Sequence, residues 1–172
     1  MRGIKPDIYK KNIYEINYNK LKLSGIRCLI FDLDNTLGLI EDKECPEKTK
    51  ELITKLKKDF IVVISSNNLK NRIKKYIDDL GIDGISFSLK PTLFSFTKIQ
   101  RKYKLRKKEM IMIGDQLLTD IIAAKRFHIK SVLVDPLGEK DLKITGVNRF
   151  AENLIMKRLE KKGLFMKGNY YE

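Results

Sequence analysis

The sequence contains few of the residues that are typical of secreted disulfide-rich proteins, fibrous proteins or proteins with a structural metal site. Its 172 residues include two cysteines, four prolines, one histidine and no tryptophan. Neither a disulfide framework nor a proline-rich fibre fits this composition. Cys28 and Cys45 form no CxxC pair, and with His128 they are too few for a structural zinc site of the usual kind. We therefore expect a reducing compartment, Cys28 as a small buried apolar residue, and His128 in a structural or solvated role.

Long apolar runs are also missing. No stretch approaches the ~18 apolar residues that a membrane-spanning helix needs. The N-terminus, Met1 to Asp7, has no apolar segment of the kind that a secretory signal contains. We therefore expect a cytoplasmic protein, whose contact with the inner face of the cell membrane would be peripheral.

Positive charge is plentiful. The chain has 36 Lys and Arg against 22 Asp and Glu, a formal net charge of +14. So basic a surface favours an anionic partner: nucleic acid, an acidic lipid surface or a phosphorylated substrate. The stretch Lys98–Lys108 alone contains seven cations and no acid. A solvated lysine-rich helix face explains such a run equally well, so charge does not choose among these partners.

Apolar runs alternate with helical patterns along the chain. Each run is short and nearly continuous, as in parallel strands covered on both faces; the runs are Cys28–Phe31, Phe60–Ile64, Ile85–Phe87, Met110–Ile113 and Ser131–Val134. Helical patterns begin at Pro46, at Asn68, near Leu93 and after Thr119. The sequence thus predicts one α/β domain over residues 1–172 with a five-stranded parallel sheet. We expect residues 1–25 to pack on the sheet as an extension and residues 148–172 to form a basic helix.

Polar residues of types that catalyse reactions or bind metal ions follow four of the predicted strands. They are Asp32 and Asp34 after the first strand, Ser66 and Asn67 after the second, Lys90 after the third, and Asp115 and Asp120 after the fourth. In parallel sheets, ligands bind beyond the carboxyl ends of the strands. A nucleophile, a hydroxyl donor, a cation and metal ligands are thereby predicted to share one edge of the sheet.

Two other sites also use an acidic motif of this type. An EF-hand begins Asp-x-Asp, but its sixth position, where glycine is required, is Leu37, and its twelfth, where glutamate is required, is Lys43. Receiver domains phosphorylate an aspartate on the third strand and place Ser or Thr and Lys later in the chain. Here Ser66 and Lys90 precede Asp115. A solvated turn remains the plainest alternative for Asp32 and Asp34 taken alone.

The ordered set resembles the four motifs of the haloacid dehalogenase superfamily of phosphohydrolases. Its finer pattern is similar to the IIIA-type branch known as the YqeG family, which includes mitochondrial phosphatidylglycerophosphate phosphatases. The resemblance covers roughly residues 5–160 and rests on four segments. They are Asp32-Leu33-Asp34-Asn35-Thr36-Leu37, Ser66-Asn67-Asn68, Lys90-Pro91, and Gly114-Asp115-Gln116-Leu117-Leu118-Thr119-Asp120.

The resemblance implies a role for each of these residues. Asp32 would be the nucleophile and Asp34 the general acid and base. Mg²⁺ would bind the carboxylates of Asp32 and Asp115 and the backbone carbonyl of Asp34. Ser66, Asn67 and Lys90 would bind the phosphoryl group, with Ser65 as the alternative hydroxyl. Asp120 would orient a metal-bound water or Lys90.

The segment lengths bear on the substrate. Only Gly38 to Cys45 separate the first motif from the next helix, and one helix and one strand separate Ser66 from Lys90, so we expect no cap domain. An uncapped site admits a large or surface-embedded substrate, and the resemblance indicates phosphatidylglycerophosphate. A small soluble phosphate ester is the alternative. A basic RNA-associated protein with a vestigial site is an alternative from another class.

Overall fold

The computed structural model describes residues 4–67, 70–86, 90, 92–138, 154–163 and 165–172. Within them, α-helices alternate with strands, mostly one by one. The strands are β1 (Ile8–Lys10), β2 (Cys28–Phe31), β3 (Ile61–Ser65), β4 (Asp83–Ile85), β5 (Met110–Gly114) and β6 (Lys130–Val134). The helices are α1 (Tyr18–Leu23), α2 (Glu47–Leu56), α3 (Lys70–Leu80), α4 (Phe94–Tyr103), α5 (Ile122–Phe127) and α6 (154–161).

All six strands run parallel in one sheet, in the order β1-β6-β5-β2-β3-β4. The central strand β2 is buried along its whole length, because helices cover both faces. One face packs on α1, α2 and α3 through residues such as Leu29, Ile53 and Ile73. The other packs on α4 and α5 through residues such as Ile30 and Phe96. The predicted three-layer α/β fold with a parallel sheet is confirmed.

The sheet has six strands where the sequence predicted five. The additional strand, β1, comes from the N-terminal extension and pairs with β6 at the edge, with Ile8 opposite Val132. Three residues are too few to show an apolar alternation, so the sequence pattern does not reveal this strand. Backbone pairing and the burial of Tyr9, which is 1% exposed, hold it in place.

The end of the chain covers this edge. Tyr171 forms an antiparallel bridge with Tyr9, through two N–H···O bonds of 2.9 Å. Leu159 of α6 and Phe165, which follows that helix, are buried against Tyr9 and Leu133. A row of unpaired backbone groups at a sheet edge invites further strands, and this arrangement occupies part of it. Of the predicted helix over 148–172, residues 148–153 lie outside the described residues, and helix is present over 154–161. The prediction is wrong beyond residue 161, where the chain turns so that Tyr171 can pair with Tyr9.

The remaining predictions about single elements agree closely with the structure. The third predicted strand, Ile85–Phe87, begins two residues too late, and Phe87 lies outside the described residues. The predicted start of α3 at Asn68 lies outside them too. Cys28 is fully buried, and burial raises the pKa of its thiol to about 12, which makes it a poor nucleophile. None of the helices in the described ranges is long and apolar enough to cross a bilayer.

Candidate active site

The carboxyl ends of β2, β3 and β5 bring together residues that lie far apart in the sequence. Strand pairing places Phe31 beside both Ile64 of β3 and Ile113 of β5. Asp32 continues the ladder, because its N–H donates to the carbonyl of Ile113 at 2.8 Å. The N–H of Ser66 likewise donates to the carbonyl of Ile85 in β4 at 3.1 Å. The first residue past each strand is therefore held by the sheet itself.

Three carboxylates form the centre of this edge. Asp32, Asp115 and Asp120 each offer a ligand oxygen, and these oxygens all lie within 4.8 Å of one another. The three residues are 6%, 2% and 0% exposed. The buried ammonium of Lys90 joins them, with its Nζ 2.5 Å from Asp32 Oδ1 and 2.6 Å from Asp120 Oδ1. The structure thus brings together Asp32, Lys90, Asp115 and Asp120.

The charges of this cluster do not balance. Three ionised carboxylates and one ammonium leave a formal charge of −2 in a site that water hardly reaches. Burial raises the pKa of Asp32 well above its usual value; Lys90 opposes this shift, whereas Asp120 and Asp115 add to it. Burial alone would lower the pKa of Lys90, but the carboxylates of Asp120 and Asp32 outweigh it and raise that pKa. The lysine therefore stays charged, and the raised pKa of Asp32 shows that a second ionised carboxylate beside it is unfavourable unless a further cation is bound.

A divalent cation would compensate for this excess. All candidate ligands in the cluster are oxygens, and carboxylate oxygens are the donors that Mg²⁺ prefers. Its charge of +2 equals the imbalance, so the donor set fits this ion. Asp32 and Asp115 are the carboxylates that would hold it. Asp120 lies within the same cluster, closer to the ligand set than its predicted outer position suggests, and one of its oxygens contacts Lys90.

The segment after β5 has a local conformation that directs Asp120 inward. Leu117–Ile121 form one turn of π-helix, a rare conformation that often occurs at functional sites. In this turn Asp120 Oδ2 accepts a bond from the backbone N–H of Gln116 at 3.2 Å. Gly114 leaves the space that the carboxylate occupies: a Cβ at Gly114 would lie 2.2 Å from Asp120 Oδ2 and 2.5 Å from its Cγ. Glycine is required here for close approach rather than for flexibility.

This contact predicts the effect of a small substitution. Gly114→Ala should displace the Asp120 carboxylate and lengthen its contact with Lys90. We expect a loss of about 1–3 kcal/mol in the free energy of unfolding, the usual cost of overpacking a core, and lower activity. Urea unfolding and steady-state kinetics of the variant measure the two effects. Unchanged stability and activity would contradict the close packing of Gly114 against Asp120.

The turn after Asp32 adds a contact that the sequence did not indicate. Asn35 adopts a left-handed conformation with φ of 60°, and Leu37 N–H donates to the Leu33 carbonyl at 2.9 Å. This tight turn buries Thr36, whose Oγ1 donates to Asp115 Oδ1 at 3.3 Å. From the sequence, Thr36 is expected to shape the turn rather than to contact the catalytic groups. The structure makes its hydroxyl a link between the first and fourth motifs.

Asn67 braces Lys90. Its side-chain Oδ1 accepts from the backbone N–H of Lys90 at 2.8 Å, and its Nδ2 donates to the Lys90 carbonyl at 3.0 Å. The amide therefore fixes the backbone that carries the ammonium. Ser66 lies just past β3 and is 2% exposed, whereas Ser65 lies inside the strand and its buried Oγ has no hydrogen-bond partner among the described residues. This placement favours Ser66 over Ser65 as the hydroxyl for phosphate.

Asp34 pairs with an arginine that lies outside the four predicted motifs. Arg72 Nε donates to Asp34 Oδ1 at 2.7 Å, and the two side chains are 18% and 12% exposed. Arg72 belongs to the first turn of α3, directly after the Ser66-Asn67 motif. Its position in the sequence, soon after a predicted catalytic motif, was the feature that could have identified Arg72 as a candidate site residue. His128 caps α5 at the opposite edge, so its predicted structural role is consistent with its position.

An acidic cluster and a buried lysine at the carboxyl edge of a parallel sheet are the parts that phosphoryl transfer to a carboxylate requires. They are typical of a protein that transfers phosphoryl groups to an aspartate. Comparison with known proteins then identifies the family. Residues 29–90 match the family described as haloacid dehalogenase-like hydrolase, and residues 89–143 match the one described as HAD-hydrolase-like.

Two relatives extend this result along the chain. The "Probable phosphatase YqeG" of Bacillus subtilis (strain 168) is 36% identical over 159 residues, which is 92% of each chain. The chain belongs to this branch of the haloacid dehalogenase-like hydrolases, and it is a phosphatase. "Phosphatidylglycerophosphate phosphatase 1, chloroplastic/mitochondrial" of Arabidopsis thaliana is 25% identical over 171 residues. That match covers 92% of this chain and 49% of the plant protein.

Solved structures confirm the fold. An uncharacterized protein from Listeria monocytogenes serotype 4b matches with a TM-score of 0.56 and 20% identity, over 68% of this chain and 85% of that one. The cobalt-bound deoxy-D-mannose-octulosonate 8-phosphate phosphatase (YrbI) of Haemophilus influenzae matches with a TM-score of 0.51 and 19% identity. The latter match covers 84% of this chain and 95% of that one. At these identities the likeness speaks for the fold alone.

Proposed function

We propose that this phosphatase is Mg²⁺-dependent and hydrolyses phosphate monoesters through a phosphorylated Asp32. The observation that carries the proposal is the cluster of Asp32, Asp115 and Asp120 around the buried Lys90. It supplies an anionic nucleophile, a cation for the phosphoryl oxygens and an oxygen donor set for one divalent ion. When bound, Mg²⁺ would offset the repulsion between the Asp32 carboxylate and the dianionic phosphate.

The reaction then needs two displacements at phosphorus. In the first, an Asp32 oxygen attacks phosphorus, the bond to the ester oxygen breaks, and Asp34 gives its proton to the leaving alkoxide. In the second, Asp34 takes a proton from water, the water oxygen attacks phosphorus, and the bond to Asp32 breaks. Lys90 and Ser66 stabilise the phosphoryl oxygens in both steps. Asn67 contributes by holding Lys90 in place.

The substrate that we propose is phosphatidylglycerophosphate. The name of the Arabidopsis relative supports this choice. The loop between the first motif and α2 is short, consistent with an uncapped site that a lipid headgroup could enter. Exposed apolar side chains lie on segments that adjoin this edge: Phe94, at the start of α4, is 56% exposed and Leu137, after β6, is 40% exposed. They suit contact with the apolar boundary of an anionic membrane.

The basic stretch Lys98–Lys108 lies elsewhere. It ends in the short helical turn before β5, where the carbonyl of Glu109 accepts from Arg27, the residue before β2. These are the amino ends of the strands, and Asp32 is at the opposite edge. A bilayer bound by this stretch would face away from the site. Its cations therefore do not support the lipid substrate, and they keep nucleic-acid binding as the second candidate function.

A substrate panel tests both candidates. The protein, stripped of metal with EDTA, should be inactive, and Mg²⁺ should restore hydrolysis. With Mg²⁺, we expect the highest kcat/KM for phosphatidylglycerophosphate in mixed micelles, compared with sugar phosphates, nucleotides and phosphopeptides. Preference for a soluble ester would overturn the lipid substrate and keep the phosphatase. Tight, steeply salt-dependent RNA binding without hydrolysis of any ester would favour the nucleic-acid function.

Mg²⁺ should also stabilise the fold. Since the ion binds carboxylates that repel one another in the folded state, saturating Mg²⁺ should raise the melting temperature; at 100 times Kd the gain is about 2.7 kcal/mol. Asp115→Asn removes one ligand and should weaken this response. Differential scanning fluorimetry with Mg²⁺ against matched ionic strength from NaCl measures it. An equal response to both salts would contradict a specific site.

A further inference from the structure

Arg72 makes three short contacts that converge on the active site from α3. Besides the Nε bond to Asp34, its Nη1 donates to the carbonyl of Asp42 at 2.6 Å and its Nη2 to the carbonyl of Leu39 at 2.5 Å. Both carbonyls belong to the loop of residues 39–45, which connects the first motif to α2. One guanidinium thus bonds a carboxylate of the site and two points of a loop beside it.

The loop of residues 39–45 packs along one face of α3. Arg72, Tyr76 and Asp79 follow one another at intervals of four and three residues, which places them on the same side of a helix. Tyr76 donates its hydroxyl to the carbonyl of Glu44 at 3.4 Å, and Asp79 accepts from the N–H of Cys45 at 3.5 Å. Gly38 allows the close approach, because a Cβ there would lie 2.2 Å from the Tyr76 hydroxyl oxygen.

The loop also has internal hydrogen bonds and contacts the segment that follows β6. Asp42 Oδ2 accepts from Leu39 N–H at 2.7 Å, and Asp42 N–H donates to the Leu39 carbonyl at 3.1 Å. A Cβ at Gly138 would lie 2.7 Å from Leu39 Cδ2, so this leucine contacts the segment after β6. The two carbonyls that Arg72 binds therefore belong to a compact turn, and the hydrogen bonds within this turn fix their positions.

We propose that Arg72 is a positioning residue, which holds Asp34 in its working orientation and couples that orientation to the seating of the loop of residues 39–45. This inference rests on the proposed general acid role of Asp34. A planar guanidinium that is fixed by two backbone carbonyls presents its Nε in one direction. Asp34 is then held at one oxygen by a group that cannot move unless the loop moves.

The coupling has a consequence for catalysis. A general acid matters most when the leaving alkoxide is a poor leaving group, because a stable leaving group departs without a proton. Displacement of a catalytic group by about 1 Å costs about 10²-fold in rate. Loss of Arg72 should therefore slow the phosphorylation of Asp32 by alkyl phosphates far more than its phosphorylation by aryl phosphates. A residue that only stabilised the fold would lower both rates equally.

Two variants of Arg72 test the idea. Arg72→Gln removes the charge, and Arg72→Lys keeps it but cannot reach three acceptors with one ammonium. We expect both to lower kcat/KM, which reports the phosphorylation of Asp32, by about 10²-fold for glycerol phosphate and by less than about fivefold for 4-nitrophenyl phosphate. Arg101→Gln, at an exposed arginine of α4, is the matched control and should leave both rates unchanged.

Two further measurements separate positioning from folding. If Arg72 acts through Asp34, Arg72→Gln in an Asp34→Asn background should cost no more than about a further twofold. Hydrogen exchange should quicken at the backbone amides of residues 39–45 in both Arg72 variants and stay unchanged in β5. Equal losses in kcat/KM for the two esters, or full additivity with Asp34→Asn, would overturn the inference and leave the phosphatase intact. A wild-type protein that hydrolyses neither ester with Mg²⁺ would overturn the proposed function, and this inference with it.

Discussion

Asp32→Asn should abolish hydrolysis and leave the fold intact. The amide keeps the shape of the side chain but cannot attack phosphorus, so we expect kcat to fall by about 10⁴-fold or more. The fold should persist because Lys90 keeps Asp120 as a charged partner, 2.6 Å away. The change also removes one charge from a cluster in which burial already raises the pKa of Asp32. Kinetics with 4-nitrophenyl phosphate and a far-UV circular dichroism spectrum measure the two expectations.

The covalent intermediate gives a direct check on this variant. Wild-type protein quenched in acid during turnover should carry one phosphoryl group, detected by intact mass, and Asp32→Asn should carry none. Asp34→Asn is the matched control, because it changes a carboxylate two residues away but leaves the nucleophile. It should still become phosphorylated by an aryl phosphate and should lose about 10²- to 10⁴-fold in overall rate. Substantial turnover by folded Asp32→Asn would refute the mechanism.

Lys90→Met should cause the largest loss of stability in the site. The change removes the ammonium from between Asp32 and Asp120, although both carboxylates stay buried. Breaking a buried ion pair from one side costs about 3–5 kcal/mol, because the remaining charges lose their partner. For a domain of this size that loss lowers the melting temperature by roughly 6–20 °C. Urea unfolding in EDTA measures it.

A surface lysine provides the comparison. Lys102 pairs with Asp83, and these side chains are 55% and 44% exposed. Lys102→Gln should cost less than about 1 kcal/mol, because water screens exposed pairs. Mg²⁺ should stabilise Lys90→Met more than it stabilises the wild type, since three carboxylates then have no internal cation. A loss no larger than that of Lys102→Gln would show that the cluster is not ionised as described.

The central strands could be predicted from the sequence because a strand that is buried on both faces consists of a short, continuous run of apolar residues. A run such as Cys28–Phe31 contains no polar residue, and the first polar residue after it, Asp32, marks the end of the strand. By the same reasoning Asp115 was placed at this edge, where the structure has it, whereas Ser66 was preferred to Ser65 because the resemblance places the hydroxyl residue before Asn67. Asp32 and Asp115 were predictable because the end of the strand alone determines where they lie.

Contacts that depend on tertiary packing could not be predicted in this way, because no local sequence pattern indicates them. Arg72 reaches Asp34 across 38 positions of the chain, and Thr36 reaches Asp115 across 79. No periodicity relates these pairs. The inward position of Asp120 depends on a π-helical turn and on the space at Gly114, and neither follows from residue type. Strand β1 was missed because its pairing partner, and not its own pattern, defines it.

The pairing of β1 with β6 also constrains when the protein can finish folding as it is made. Asp7 and Ser131, which bond beside this pairing, are 124 residues apart. At a synthesis rate of about 5–20 residues per second, the first strand waits roughly 6–25 s for its neighbour. It waits longer still for Tyr171, which bonds its outer side. During that interval Ile8 and Tyr9 lack the neighbouring strand β6, so their burial depends on residues that are synthesised much later.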